Sequence, residues 1–329
     1  MIGRCLSILA LIAAASVSAQ LVDWQEQYFA GMRALQEGRY LEARTLLDVA
    51  YDRARTPPVD EIWTARTAFG VGSLAGAEGD AAKATDLLDQ ARYILERRAD
   101  SQVLLASVLN GLGEAYLDEA RWDDAEQVFS RAAKIFESDA AWKRGAFLSR
   151  RHLAEIRFMH EEYDACERLL KPLIAEERQD AGGEDLASAL TVLGRVYTVQ
   201  RRWKDGERAF REAVEIRVHV SEDSAGLADT QLALATLYRS EGHPERAEPL
   251  LRKCIKRYET RADPRVVGAY LQLSWCARDD GKYGTAKELL QKAIAIASKA
   301  SMAEVAMRKL RQELADVAPE YAKTQSSRP

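Results

Sequence analysis

Apolar positions in this chain recur in tight groups at a long, nearly constant period. Small residues stand at Gly31, Gly72, Gly113, Ala154, Gly194, Ala235 and Ser274, with successive offsets of 41, 41, 41, 40, 41 and 39 residues. Twelve residues after each comes a second small residue: Ala43, Ala84, Ala125, Cys166, Gly206, Ala247 and Ala286. Four further on lies a large apolar one: Leu47, Leu88, Phe129, Leu170, Phe210, Leu251 and Leu290. Three beyond that lie Ala50, Ala91, Ala132, Leu173, Ala213, Cys254 and Ala293. Four columns held through seven copies mark a repeat array, in which each copy buries its apolar face on its neighbours.

Spacings of three and four share one helical face, so each copy predicts a helix A carrying the first column and a helix B carrying the other three. The small residue on A lets B approach, the small residue on B answers it, and the large one fills the gap to the neighbour. Turn chemistry marks the corners. Gly38, Gly79, Gly242 and Gly281 suit the position just after helix A, and Pro244 suits the first turn of helix B. Asp263-Pro264 reads as an N-cap and first helical residue, and Pro57-Pro58-Val59-Asp60 ends one hairpin and caps the next. Ser301-x2-Glu304 is a capping box opening one more helix to about Ala318. The charges of that helix suit the outer face of a terminal cap. Pro319 is expected to end it, leaving 319–329 as a flexible tail.

Within the columns, Leu112-Gly113-x2-Tyr116…Ala125-x3-Phe129-x2-Ala132 and Leu193-Gly194-x2-Tyr197…Gly206-x3-Phe210-x2-Ala213 resemble the tetratricopeptide repeat. The period near 41 exceeds the usual 34 and is similar to the longer repeats of kinesin light chains. Ala247-Glu-Pro-Leu-Leu251-x2-Cys254-Ile255 and Phe210-x2-Ala213-Val-Glu-Ile-Arg217 are similar to helix B of that variety. The resemblance covers roughly residues 24–300. It implies an all-α fold: a right-handed α-solenoid of seven helix-turn-helix repeats over 20–300, with a capping helix over 301–318. The fourth copy departs from the pattern, with Arg157 where Tyr116, Tyr197 and Tyr238 stand elsewhere. A buried arginine there needs an acidic partner.

Composition then narrows the class. Hydrophobic residues are 47% and charged residues 30% of 329, which supports a packed core and excludes global disorder. A net charge of −4 argues against nucleic acid as the main partner. Arg4 precedes the apolar stretch Cys5 to Ser16, and Val17-Ser18-Ala19 puts small residues where a signal peptidase reads. Residues 1–19 are therefore expected to be a cleaved secretory signal, with a periplasmic or secreted chain starting near Gln20. An uncleaved anchor is the alternative. The apolar stretch is shorter than the roughly 20 residues of a membrane span, and none is expected after signal removal. Cys166, Cys254 and Cys276 remain, and a disulfide between Cys254 and Cys276 stays open in an oxidising compartment.

Candidate chemistry changes this picture little. Gly70-Val71-Gly72-Ser73-Leu74-Ala75-Gly76 is rich in glycine, yet no Lys-Ser/Thr pair follows as in a phosphate loop, and packing is the better account. His160-Glu161-Glu162 lacks the second histidine of a zinc-protease helix, and no acid/base or nucleophile cluster is evident. The chain is thus expected not to be an enzyme and to hold neither cofactor nor metal. What remains is surface. The resemblance implies that helix A lines a concave groove, exposing Tyr28, Met32, Arg66, Phe69, Glu114 and Phe158. The candidate partner-binding residues on that face are Asn110, Arg151, Thr191, Arg195, Leu232, Arg239, Leu271, Trp275 and Arg278. Asn110 matches the groove asparagine of kinesin-light-chain-like repeats, whereas the paired Lys/Asn columns of chaperone-tail binders are absent. The expected function is an exported interaction scaffold that grips a peptide or partner protein. The alternative is a structural subunit of an envelope or secretion-related assembly.

Overall fold

The structure, a computed structural model, describes residues 24–179, 183–220, 225–260, 263, 265–299 and 304–326. Among these are fifteen α-helices and no strand. They are α1 (24–36), α2 (Tyr40–Ala54), α3 (Glu61–Ala77), α4 (Ala81–Leu95), α5 (Gln102–Asp118), α6 (Trp122–Phe136), α7 (Lys143–Met159) and α8 (Tyr163–Gln179). The series continues with α9 (Glu184–Val199), α10 (Trp203–Val220), α11 (Ala225–Glu241), α12 (Pro244–Thr260), α13 (Val266–Asp279), α14 (Tyr283–Lys299) and α15 (Glu304–Ser326). Odd-numbered helices are the A members and even-numbered ones the B members of seven hairpins, with α15 as the cap. The chain divides into two compact units, Met1–Ile156 and Arg157–Pro329. The expected signal at 1–19, the start at Gln20, Pro264 and the Ser301 end of the capping box lie outside the described residues.

The four sequence columns are buried in all seven copies. Their geometry is that of close helix approach. A Cβ at Gly31 would lie 2.8 Å from Leu47, at Gly72 2.9 Å from Leu88, at Gly113 2.5 Å from the Phe129 ring, and at Gly194 2.7 Å from the Phe210 ring. In each case the obstructing group is the large residue of the same hairpin, sixteen positions on. That residue rests directly on the backbone of helix A, which only glycine allows.

All seven A-to-B corners turn through a residue with positive φ: Gly38, Gly79, Ala120, Glu161, Arg201, Gly242 and Gly281. The next N–H returns to the carbonyl five residues back at 2.8–2.9 Å, as in Arg39 to Ala34, Arg121 to Tyr116 and Glu162 to Arg157. This Schellman closure supplies a donor to carbonyls that the end of helix A would otherwise leave orphaned. Ala120, Glu161 and Arg201 adopt this conformation without glycine, at about 1–2 kcal/mol each. On the B-to-A side, the Asp60 carboxylate accepts from the N–H groups of Ile62 (2.9 Å) and Trp63 (3.2 Å), as its N-cap position requires.

Neighbouring hairpins in the second unit are clamped through the tyrosine column. Tyr197 and Tyr238 donate to Glu167 (3.2 Å) and Glu207 (2.9 Å) of the preceding B helix. Arg202 and Arg246 stack over the same rings, at 4.1 and 3.9 Å, and pair with the same carboxylates. Arg157 is half-buried rather than enclosed, and its acidic partner is Glu162 at 3.3 Å, beside the corner.

The capping helix does not stop at Pro319. It runs on to Ser326. Pro319 is exposed, as is Ala315, whose carbonyl loses its donor, so water can take that bond. Beyond the proline, Tyr321 reaches back to α14, where its ring lies 3.3 Å from a Cβ placed on Gly284 and 4.7 Å from the Lys287 ammonium. That contact holds the end of the helix against the hairpin before it. Pro172 in α8 and Pro249 in α12 are likewise internal and exposed.

Two glycines of α5 give opposite expectations. Gly113→Ala should lower the unfolding free energy by about 1–3 kcal/mol, because its methyl collides with Phe129. Gly111→Ala, whose Cβ would meet Leu88 and Phe69 at an ordinary 3.5 Å, should raise stability by about 0.5–1 kcal/mol. Equilibrium denaturation of both variants checks the pair, and equal effects would contradict the packing described.

Candidate functional site

The A helices carry the residues singled out by their position relative to the small column, and the two units differ in character. In the second unit the groups are mainly cationic and aromatic. Arg195 is exposed on α9 and its guanidinium lies 4.5 Å from the centre of the Phe158 ring. Arg239 on α11 lies 4.9 Å over Trp275 of α13, donates to Gln272 at 3.2 Å and faces Asp279 at 3.9 Å. The Lys309 ammonium of α15 lies 5.7 Å from the same indole. Leu232 and Leu271 are half-buried and pack against the core. Their exposed edges lie on the same helices as the arginines.

Not all of these groups are free. The Trp275 indole N–H donates to Glu313 of α15 at 2.8 Å, and Arg278 donates to the same oxygen at 3.2 Å. One carboxylate from the capping helix therefore already answers two groups of the face. Asp229 of α11 accepts from Tyr258 and Arg265, each at 2.6 Å. Thr191 is committed to the fold. Its hydroxyl donates to the Ala187 carbonyl at 2.7 Å and accepts from Arg217 at 3.1 Å.

Arg217 was not among the residues expected to matter. Its side chain is only 6% exposed, and it donates to Glu184, Ser188, Thr191, Thr230 and the Gly226 carbonyl, joining α9, α10 and α11. A legible signal existed. Arg217 lies four residues after Ala213, where other copies bury Ala54, Leu95, Phe136, Tyr258 and Ala297. A charge in that column must bring its own acceptors.

The first unit presents carboxylates around a histidine. Arg151 on α7 is mostly buried and pairs with Glu155 at 2.6 Å. His152 stacks on Phe129, with centroids 4.6 Å apart and planes at 10°. One imidazole nitrogen lies 2.9 Å from Glu155, and the other lies 2.9 Å from the Arg151 guanidinium and 3.3 Å from Glu114 of α5. Asn110 accepts from the Ser149 hydroxyl at 2.7 Å. Burial opposes a charge on His152, and Arg151 opposes it too. Hydrogen bonds to Glu114 and Glu155 outweigh both and hold its pKa above the ordinary histidine value.

Cys254 and Cys276 are free and buried, and burial pushes their thiols up to about 12 and about 11. No group of three or more His, Cys, Asp or Glu able to hold a metal occurs among the described residues. No helix of those residues is long and apolar enough to cross a membrane.

Sequence profiles described as tetratricopeptide repeat match residues 63–138, 185–260 and 267–299, more than half of the chain. The chain belongs to the tetratricopeptide repeat family. No curated protein matches it. Among solved structures, the apo form of RapI is 15% identical with a TM-score of 0.66, over 85% of this chain and 99% of that one. The apo quorum sensor NprR from B. thuringiensis is 13% identical with a TM-score of 0.62, over 89% and 86%. A Rap protein complexed with Competence and Sporulation Factor is 14% identical with a TM-score of 0.60, over 92% and 99%. At such identities the likeness is one of fold, the α-solenoid of tetratricopeptide repeats.

The raised pKa of His152 makes stability depend on pH. The stabilisation it contributes is fully present below its unfolded value of about 6.5 and is lost as pH rises through the higher folded value. Melting curves across that window should fall with rising pH for the parent and flatten for His152→Gln. Identical slopes would remove His152 as the cause.

Proposed function

We propose that this tetratricopeptide repeat protein is a non-catalytic interaction scaffold whose second unit takes an extended, partly acidic segment of a partner protein. The observation that carries the reading is Trp275, a half-buried indole with Arg239 at 4.9 Å and Lys309 at 5.7 Å, beside Arg278. Arginine and tryptophan are the residue types that concentrate binding energy at interfaces. Arg195, Arg239 and Arg278 would orient carboxylates through charge-assisted bonds, and Trp275 with Leu232 and Leu271 would receive an apolar anchor. The similar fold of a Rap protein seen with Competence and Sporulation Factor supports the use of such a scaffold for binding.

We also propose that the chain is exported. Arg4, the apolar stretch that follows and Val17-Ser18-Ala19 motivate this reading. Expressed in a secreting host, the mature protein should give Gln20 on N-terminal sequencing; intact chain kept in the cytoplasm would refute it.

The binding reading is tested by replacing Arg195, Arg239 and Trp275 together with alanine. Cross-linking in the native compartment, followed by mass spectrometry, should recover partners with the parent and lose them with the triple variant. Far-UV circular dichroism should stay unchanged. Recovery of the same partners by the triple variant would move the site elsewhere.

A further inference from the structure

The glycines of α3 and α5 are not all explained by packing. Gly72 and Gly113 are required by Leu88 and Phe129, but Gly111 and Gly76 are not. A Cβ at Gly111 would sit at an ordinary 3.5 Å from Leu88, and one at Gly76 would sit 3.8 Å from Ala84. Gly111 lies in the middle of α5, where glycine is less stable than alanine. Both residues border a cavity of about 220 Å³ between α3 and α5, floored by Leu88 and Ala84 of α4, with Glu114 and Asp118 at its mouth.

The next repeat indicates what such a space accepts. Position 111 corresponds, 41 residues on, to His152. There the imidazole lies on Phe129, which occupies the same column as Leu88, and meets the carboxylate three residues further on, Glu155. In the earlier copy the ring is missing, the floor is Leu88, and the carboxylate three residues on is Glu114. The space one copy fills with a cation-forming ring is therefore open in the other, facing the equivalent acid.

Asp118 adds a second charge one turn from Glu114 on the same helix face. No ion pair or hydrogen bond holds it among the described residues. Partial burial and then Glu114 keep its carboxyl above the ordinary aspartate range, with no cation to relieve it. Glu114 is shared with His152 on its other side, and its side chain is still 61% exposed.

We propose that this cavity is a binding pocket for an alkylammonium group. Its apolar floor suits a methylene chain, and its acidic mouth suits the three donors of an ammonium. The volume is below the roughly 300–1,000 Å³ of a pocket for a whole small molecule, so one side chain or a short amine is the fitting size. The group comes either from a lysine of a partner protein or from a free diamine. The pocket lies wholly in the first unit and does not depend on the arginines of the second.

Ligand-observed NMR on the full chain tests this with N-acetyl-lysine methylamide and with 1,5-diaminopentane, against N-acetyl-norleucine methylamide. Binding of the lysine amide assigns the pocket to a partner's side chain, and binding of the diamine alone assigns it to a free amine. The norleucine compound should not bind. Asp118→Asn, which leaves His152 and its partners in place, should weaken amine binding about tenfold. Gly111→His, which refills the space as His152 does, should abolish it. Gly111→Ala should weaken it while raising the melting temperature, which separates loss of the pocket from loss of the fold. Replacing Arg195, Arg239 and Trp275 should leave it unchanged. Absence of amine binding by the parent, equal binding of the norleucine compound, or indifference to both Asp118→Asn and Gly111→His would overturn the proposal.

Discussion

In the four hairpins whose helix A carries glycine in the first column, a bulky side chain of helix B rests on the backbone of helix A. At Gly113 even one methyl group would stand 2.5 Å from the Phe129 ring, and at Gly194 2.7 Å from that of Phe210. Dense interiors leave no slack for such a methyl, so the small column sets the separation of the two helices. The left-handed corner seven residues later and the tyrosine clamps to the preceding hairpin depend on that separation. Arg202 reaches both Tyr197 and Glu167, and Arg246 both Tyr238 and Glu207, only because successive hairpins stack at a constant offset. These ion pairs are partly exposed and individually modest. Their value lies in repeating one register.

The same constancy makes deviations within the array informative. Equivalent positions on successive A helices see equivalent floors, so a change of residue there changes chemistry rather than geometry. His152 over Phe129 and Gly111 over Leu88 are one site in two states of filling. Arg217, in a column that is apolar in five other copies, turns a hydrophobic contact into a five-partner polar junction among α9, α10 and α11. The A-helix face of the first unit gathers Glu114, Asp118 and Glu155, and that of the second Arg195, Arg239 and Arg278. The exposed charges of these faces thus differ in character, although Arg151 and His152 already answer Glu155 and Glu313 answers Arg278.

The candidate residues lie on A helices, as their spacing from the small column implies, but that spacing does not reveal their commitments. Thr191 stands three residues before Gly194, yet its hydroxyl serves Arg217, which lies 26 residues away in sequence. Trp275 and Arg278 follow Ser274 by one and four residues, and Glu313 of the capping helix meets both. Such partners come from other elements, at separations that no local pattern encodes. The end of α15 went astray for a related reason. Pro319 reads as a stop, but the contacts of Tyr321 with α14 hold the helix through it.

The period, the four columns and the corner glycines determined the helices, their pairing into seven hairpins and the family, because each depends on residues within one repeat or its neighbour. A column of glycine or alanine opposite one of leucine or phenylalanine has one close-packed solution, and it is visible in the letters alone. The tertiary structure decided which surface groups are already satisfied, which glycines packing requires and which leave space, and where buried charges find acceptors. Those outcomes depend on distances between side chains of separate helices. The same small residue is a steric necessity at Gly113 and leaves room for a methyl group at Gly111, and only the position of Phe129 or Leu88 beneath it tells the two apart.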